Sequence, residues 1–197
     1  LAEINGSAET LAAVMSAADV ACYSAKDSGR NRVQTYKQSR APERHREMQW
    51  VSRINRAVEE GRFELHCQAI VPIRSGVEAL RHFELLLRMR DEHGRLVKPS
   101  EFIPAAERYN IMALIDLWVL EDVVRRLRAL PPGAERPLLA VNVSGNSLSD
   151  QSFVERVLAL ISDGELARSL CFELTETAAV THLDNAIYFM RELKARG

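Results

Sequence analysis

Three oxygen-bearing side chains stand at similar places in three apolar stretches of this sequence. Glu84 lies within a run of Phe and Leu, Asn142 ends a second apolar run, and Glu173 lies in a third. Burying a charge is costly unless it is paired or holds a metal. Two carboxylates and an amide carbonyl suit a hard cation such as Mg²⁺, Mn²⁺ or Ca²⁺, and the lack of His or Cys at matching places argues against zinc.

Each of these residues also has a simpler interpretation. Glu84 is followed four positions later by Arg88, and the two could form an ion pair. Asn142 could be a strand-end amide satisfied by its surroundings, and Glu173 and Glu176 could lie at a solvated loop edge. Spacing alone leaves both interpretations open.

The elements that must position these residues can be predicted from hydrophobic periodicity and turn signals. Two strands joined at Arg74-Ser75-Gly76 predict an antiparallel hairpin, and a strand–helix–strand–helix series follows, which favours parallel α/β packing. Ligands of such sheets bind at the carboxyl ends of the strands. The predicted strands are 63–73, 79–90, 138–143 and 170–174, and the predicted helices are 99–107, 112–130, 150–162 capped by Ser149, and one to about 195 with a capping box at Thr181–Asp184.

The first part of the chain follows a different pattern. A helix is predicted at 9–26, a short strand at 30–36, a polar linker at 37–46, and a helix at 43–60 that Gly61 ends. The sequences Ala18-Asp19-Val20-Ala21, Tyr23, Ala25-Lys26 and Gly29-Arg30-Asn31-Arg32-Val33 resemble the C-terminal end of a GGDEF domain, the diguanylate cyclase family. The resemblance implies a remnant at 1–38 without the family's signature loop, then a linker and connecting helix at 39–62. Arg30-Asn31-Arg32 is either a solvated edge or a nucleotide contact.

Composition excludes several classes of protein. Hydrophobic residues make up 47% and charged residues 27%, and the net charge of −1 gives no general attraction to nucleic acid, so no nucleic-acid polymer is expected as a partner. No apolar run approaches the roughly 18 residues of a membrane span. Cys22, Cys67 and Cys171 lie in apolar runs without CxxC spacing, which predicts three buried thiols and a cytoplasmic location.

The motifs Glu84-Leu85-Leu86-Leu87-Arg88, Val141-Asn142-Val143-Ser144 and Glu173-Leu174-Thr175-Glu176 follow one another along the chain. On these and further motifs, residues 63–197 resemble the first part of an EAL domain, the cyclic di-GMP phosphodiesterase family. Glu78-Ala79-Leu80 spells the family name but lacks an Arg four places after its Glu, so Glu84 is the functional equivalent; Ala69 replaces a proline usual after the glutamine. The matching stretches are Gln68 with Ile70 and Pro72, Glu84-Leu85-Leu86-Leu87-Arg88, Pro99 with Glu101-Phe102-Ile103-Pro104 and Ala106-Glu107, Trp118-Val119-Leu120, Val141-Asn142-Val143-Ser144, and Glu173-Leu174-Thr175-Glu176.

The resemblance implies a partial TIM-like (β/α) barrel whose first strand is antiparallel. It implies hydrolysis of cyclic di-GMP to linear pGpG with Mg²⁺ or Mn²⁺ in a two-metal site. By motif position, Glu84, Asn142 and Glu173 would ligate metal, Arg88 would contact a phosphate, and Gln68 would contact a guanine edge or a nearby polar atom. Glu176 would act indirectly, by holding the loop that follows a later strand. The implied partners are cyclic di-GMP and an upstream sensory or GGDEF domain, with a homodimer left open.

Both ends of the chain look cut, at Leu1 and at Gly197. The family's Asp-Asp-Phe-Gly-Thr-Gly motif, whose aspartates bind metal, is expected a few residues beyond Gly197. A part-barrel is expected to leave an open sheet edge. The resemblance therefore implies a phosphodiesterase whose site lies only partly in this chain. Whether segments upstream of this chain anchor the full-length protein in a membrane is left open. The alternatives are a non-hydrolysing cyclic di-GMP receptor and a structural or dimerising piece.

Overall fold

The computed structural model describes residues 14, 15, 18, 21, 22, 33, 40–73, 81–175 and 180–197. Within the helix that begins at residue 40, side chains are described from residue 49. The chain divides into two compact units, 1–48 and 49–197. Helix α1 (Arg40–Glu59) ends at Gly61, whose φ of +65° is the left-handed conformation that glycine adopts without strain. The backbone N–H of Arg62 donates to the carbonyl of Ala57 over 2.8 Å, which closes the helix end as predicted.

The second unit is built on a mixed five-stranded sheet. Its strands are β1 (Phe63–Ile70), β2 (His82–Arg90), β3 (Leu96–Val97), β4 (Leu138–Asn142) and β5 (Leu170–Glu173). The order is β1-β2-β4-β5, and β3 pairs with β2 away from this path. β1 and β2 are antiparallel, whereas β4 is parallel to both β2 and β5. This arrangement is the antiparallel first strand followed by parallel β/α units that the sequence predicts.

Six helices whose bounds fall within the described residues connect and cover these strands. They are α2 (Pro99–Arg108), α3 (Met112–Arg128), the short α4 (Gly145–Leu148), α5 (Gln151–Leu160), the short α6 (Gly164–Ala167) and α7 (Leu183–Arg196). Each parallel strand pair is joined through helices, as parallel strands require a crossover connection. No described helix is both long enough and apolar enough to cross a membrane.

The alternation of side chains along each strand divides the sheet into two chemically different faces. On one face, Leu85 and Val141 are buried in a cluster with residues of α3, α5 and α7, and Leu87 and Phe172 pack against it. A second cluster joins Phe63 and Met89 to α1, α2 and the start of α3. The helices therefore cover one face of the sheet, and the intervening strand residues lie on the opposite face.

Helix α5 begins one residue later than predicted. Asp150, not Ser149, is its N-cap, and its carboxylate accepts from the backbone N–H groups of Ser152 and Phe153. The predicted capping box at Thr181 is also wrong, because Thr181 is itself helical and α7 starts after His182, which makes no side-chain cap. Neighbouring Ser, Asp and Thr residues are all good caps, so their sequence does not select among them.

The prediction of three buried thiols is also wrong. All three cysteines are free, but Cys22 and Cys67 are exposed and Cys171 is half-buried. Cys67 lies on the helix-facing side of β1, because its register partner on β2 is Leu85. Among the described strands, β2 alone lies beside β1, and the last five residues of β1 are all exposed. The apolar run therefore predicted the strand, but it did not show whether another element covers the end of that strand.

Some predictions fall mostly or wholly on residues that the structure does not describe. Within the helix predicted at 9–26, the described residues Val14, Met15, Ala18, Ala21 and Cys22 are helical. The rest of that helix, the strand at 30–36 apart from Val33, the turn at 74–76 and Glu176 lie outside the described residues.

Candidate metal and nucleotide site

The strand register brings the predicted metal ligands to one face of the sheet. Glu84 on β2 is paired with Ala140 on β4, so Asn142, two residues further along β4, has the same parity as Glu84. Asn142 is in turn the register partner of Glu173 on β5. This is the face opposite the helices. The three residues thus come from three successive strands and project to the same side.

Glu84 and Asn142 are in direct contact. The side-chain amide Nδ2 of Asn142 donates to Oε1 of Glu84 over 3.3 Å. Glu84 and Glu173 are half-buried and Asn142 is exposed. This hydrogen bond orients the carboxylate of Glu84, and it leaves the side-chain carbonyl oxygen of Asn142 as a further acceptor. Asn142 is thus a strand-end amide whose N–H is satisfied by its surroundings, as the simpler interpretation expects, and the group that satisfies it is the carboxylate of Glu84.

Gln68 joins this group and Arg88 stands apart from it. Gln68 on β1 is the register partner of Glu84 and is exposed. Arg88 lies on the same face of β2 but four residues beyond Glu84, about 13 Å along a strand that rises about 3.3 Å per residue. Its Nη1 donates to the carbonyl of Leu87 over 2.7 Å. Glu84 has its amide partner in Asn142, and no ion pair between Glu84 and Arg88 occurs among the described residues.

The donor set fits a hard divalent cation. Glu84, Asn142 and Glu173 offer carboxylate and amide oxygens, the atoms that Mg²⁺ and Mn²⁺ prefer. Across the described ranges, no group of three or more His, Cys, Asp or Glu side chains could hold a metal ion. A site built from these strands alone therefore depends on the amide of Asn142 as well as on the carboxylates of Glu84 and Glu173.

Sequence reasoning missed a buried carboxylate on the helix side of the sheet, which binds the turn after β4. Asp116 on α3 is only 5% exposed, and its Oδ2 accepts from the backbone N–H of Ser144 over 2.9 Å and from Oγ of Ser147 over 2.6 Å. Burial raises the pKa of Asp116, although the hydrogen bonds from Ser147 and Ser144 oppose this effect. The available signal was an acidic residue directly after Ile115, on the apolar side of a predicted helix.

Comparison with known families agrees with the fold. A family model described as "EAL domain" matches residues 51–197. Because this match covers most of the chain, the chain belongs to the EAL domain family. EAL phosphodiesterases are generally metal-dependent.

Two relatives of known name match nearly the whole chain. The chain is 31% identical over 183 residues to the cyclic di-GMP phosphodiesterase PdeB of Shewanella oneidensis, covering 91% of this chain and 21% of that protein. It is 30% identical over 198 residues to the bifunctional diguanylate cyclase/cyclic di-GMP phosphodiesterase MucR of Pseudomonas aeruginosa, covering 98% of this chain and 28% of that protein. The chain thus spans between a fifth and a third of the length of these relatives.

Solved structures show the same fold. The EAL domain of Xanthomonas citri FimX, in complex with c-diGMP, superposes with a TM-score of 0.61 at 25% identity, covering 79% of this chain and 60% of that one. The S helix-GGDEF-EAL structure of Vibrio cholerae LapD gives a TM-score of 0.67 over 96% of this chain and 45% of that one. At 21% identity, the second match supports the fold alone.

Proposed function

We propose that this chain supplies part of the active site of a metal-dependent cyclic di-GMP phosphodiesterase that acts in bacterial second-messenger signalling. In this proposal, Glu84, Asn142 and Glu173 hold Mg²⁺ or Mn²⁺. The observation that carries it is the contact between Glu84 and Asn142, together with the register that pairs Asn142 with Glu173. Relatives named as cyclic di-GMP phosphodiesterases support the substrate.

The reaction proposed is hydrolysis of one phosphodiester bond. A water oxygen forms a new bond to phosphorus, the bond from phosphorus to a ribose oxygen breaks, and that oxygen takes up a proton, which gives linear pGpG. A bound divalent cation supplies positive charge where negative charge develops on the phosphate. The carboxylates of Glu84 and Glu173 fix the position of that charge, and Asn142 keeps the carboxylate of Glu84 directed toward it.

Two residues of the same face are proposed to bind the nucleotide. Gln68 is exposed beside Glu84 and carries both an amide donor and an amide acceptor, which suits the edge of a guanine base. Arg88 is half-buried and carries a permanent positive charge, which suits a phosphate. Glu176 follows β5 by three residues and is proposed to orient a neighbouring loop rather than to ligate metal.

The remaining parts of the proposal concern the rest of the protein. Residues 1–38 are proposed to be the end of a GGDEF domain, which the bifunctional name of MucR supports. Residues 39–62 are the proposed linker and connecting helix. Cyclic di-GMP is an intracellular nucleotide messenger in this scheme, so the site is proposed to face the cytoplasm. Association into a homodimer is proposed as a further property of the full-length protein.

The test is a measurement of both binding and turnover. Full-length protein is incubated with cyclic di-GMP and Mg²⁺ or Mn²⁺, and pGpG is quantified by chromatography, while calorimetry in Ca²⁺ reports binding. Wild type is expected to form pGpG, and Glu84→Gln is expected to lose turnover by at least about a hundredfold while it still binds nucleotide. Glu121→Gln, on the outer surface of α3, is the matched control and is expected to retain turnover.

Each other outcome contradicts a stated part of the proposal. Wild-type protein that binds cyclic di-GMP but forms no pGpG with either metal would be a receptor rather than an enzyme. Folded protein that neither binds nor hydrolyses cyclic di-GMP would rule out both functions. Equal loss of turnover in Glu84→Gln and Glu121→Gln would show that the effect does not arise at the proposed site.

A further inference from the structure

The carboxylate of Asp116 is bound to the turn that follows β4. Asp116 is buried on α3 between Ile115 and Leu117, which are themselves buried, one in each of the two apolar clusters. Its Oδ2 accepts one hydrogen bond from the Ser144 backbone and one from the Ser147 hydroxyl. Both donors are neutral, so these contacts do not form an ion pair. Burying a carboxylate costs free energy, and the hydrogen bonds that it accepts offset part of that cost.

The turn that Asp116 holds is a compact network of its own. Ser144 is the N-cap of α4, and its Oγ accepts from the backbone N–H of Ser147 over 3.1 Å. The two serine hydroxyl oxygens lie 2.8 Å apart. Ser147 is completely buried, so its hydroxyl depends on Asp116 and Ser144 for hydrogen bonds. The carboxylate and the two serines therefore form one connected unit.

This unit begins two residues after Asn142. Asn142 is the last residue of β4, and the next backbone N–H, that of Val143, donates to the carbonyl of Glu173 over 2.9 Å. The following N–H, that of Ser144, donates to Asp116. The chain leaving β4 is thus held first by β5 and then by α3, while the exposed side chain of Asn142 reaches Glu84 on the other side of the sheet.

We propose that Asp116 is a positioning residue, which holds the turn after β4 so that Asn142 stays directed at Glu84. Its role in metal binding rests on the proposed function, whereas its role in ordering the turn does not. Removing the carboxylate leaves the Ser144 N–H without its acceptor in a partly buried place and leaves the buried Ser147 hydroxyl with only its Ser144 partner. The end of β4 then loses its anchor on α3, and Asn142 samples directions that do not face Glu84.

The test compares variants of two buried aspartates on the same helix. Asp122 is 7% exposed and its carboxylate binds Arg125 and Arg126, away from the turn, so Asp122→Ala is the matched control for Asp116→Ala. Hydrogen–deuterium exchange of metal-free, full-length protein is measured on peptides that cover 142–148, and Mn²⁺ affinity is measured by calorimetry. Asp116→Ala is expected to speed exchange of 142–148 about tenfold or more and to weaken Mn²⁺ binding about 10- to 100-fold.

Asp122→Ala is expected to leave both quantities near wild type even where it lowers stability. If Asp116→Ala does not fold, Asp116→Asn and Ser147→Ala give the same readouts, each with a smaller expected increase in exchange. Unchanged exchange at 142–148 in a folded Asp116 variant, or an equal change in Asp122→Ala, would overturn the proposal. If wild type binds no Mn²⁺, the proposed function fails at its metal site, and the metal-free exchange still decides the role of Asp116.

Discussion

The side-chain amide of Asn142 donates a 3.3 Å hydrogen bond to the carboxylate of Glu84, although 58 positions separate the two residues in the chain. The contact exists because β2 and β4 are parallel neighbours whose register gives both residues the same parity. An amide beside a carboxylate is stable without metal, since the N–H satisfies the oxygen. The pair therefore keeps its geometry in the metal-free protein, and both residues retain oxygens for a cation.

Replacing that amide by a carboxylate makes the pair dependent on metal. In Asn142→Asp, two negative groups about 3 Å apart are expected to lower the free energy of unfolding at neutral pH by about 1 kcal/mol without metal. Under the proposed function Mn²⁺ binds this pair in the folded state, so saturating Mn²⁺ is expected to remove this deficit. Urea unfolding with and without Mn²⁺ measures both effects.

Gln151→Glu is the matched control for this prediction. Gln151 donates a 2.9 Å hydrogen bond to Glu155 on the exposed surface of α5, so the substitution also creates neighbouring carboxylates, but far from the sheet. Its stability is expected to respond to Mn²⁺ no more than that of wild type. An identical Mn²⁺ response in the two variants would contradict a specific site at Asn142.

The buried carboxylate of Asp116 is expected to make stability fall as pH rises. Burial, with a smaller contribution from the charge of Glu107, raises the pKa of Asp116 above its ordinary value of 3.8. The folded protein therefore holds a proton that the unfolded chain releases above pH 3.8, and the stabilisation present below that pH is lost as pH rises through the folded-state pKa.

Asp116→Asn has no such titration. Its free energy of unfolding is expected to increase relative to that of wild type as pH rises from about 3.8 through the folded-state pKa of Asp116. Urea unfolding of both proteins at pH values from about 3.5 to 7 measures the difference. A difference that does not change with pH would contradict the raised pKa.

Asp150 is expected to stabilise α5 as its N-cap. Its carboxylate accepts from two backbone N–H groups of the first turn, and Asp150→Ala is expected to cost about 1 kcal/mol in urea unfolding at neutral pH. Hydrogen bonds from Ser152 and Phe153 lower the pKa of Asp150, so its contribution is present above the unfolded-state pKa and is lost as pH falls through the folded-state value.

Ser149→Ala distinguishes the cap in the structure from the cap that the sequence predicted. The exposed Oγ of Ser149 lies 2.8 Å from Nδ1 of His182 and donates to the Gly145 carbonyl, and it serves no N–H of α5. Its loss is therefore expected to cost less than that of Asp150. A larger cost for Ser149→Ala would contradict the assignment of Asp150 as the cap.

Ile54 is expected to make the second half of α1 part of the folded unit that carries the site. Its side chain is 0% exposed in the cluster with Phe63, Met89 and Phe102. Ile54→Ala is expected to lower the free energy of unfolding by about 2–5 kcal/mol, measured by urea unfolding. Ser52→Ala, an exposed position on the same helix, is expected to change it by less than about 0.5 kcal/mol. Equal effects would contradict docking of this helix.

The sequence predicted the candidate site best where a polar residue interrupts or ends an apolar run of strand length. The apolar runs of β2 and β4 predicted strands, and the polar positions Glu84, Asn142 and Glu173 fell on one face because side chains along a strand alternate between its two faces. Register between strands depends on how whole faces pack, which no single segment encodes. The direct contact of Glu84 with Asn142, in place of the ion pair with Arg88, therefore emerged only from the structure.

Burial and capping were less predictable for related reasons. Cys67 lies in an apolar run, but its exposure depends on whether a neighbouring element covers the end of β1. Ser149 and Asp150 are both good caps, and the choice depends on where the chain leaves α4. Asp116 looked like a polar residue of an ordinary helix, because its serine partners lie 28 and 31 positions away.

The strict parity of β2 and β4 limits how the length of this protein can vary. Deleting or inserting one residue within 138–142 would turn Asn142 toward the helices and move Val141 to the polar face, which would remove a proposed ligand and open the core together. The segment 131–137 lies between elements and has no such constraint. Natural changes of length are therefore expected in this loop, and the strands are expected to vary by substitution alone.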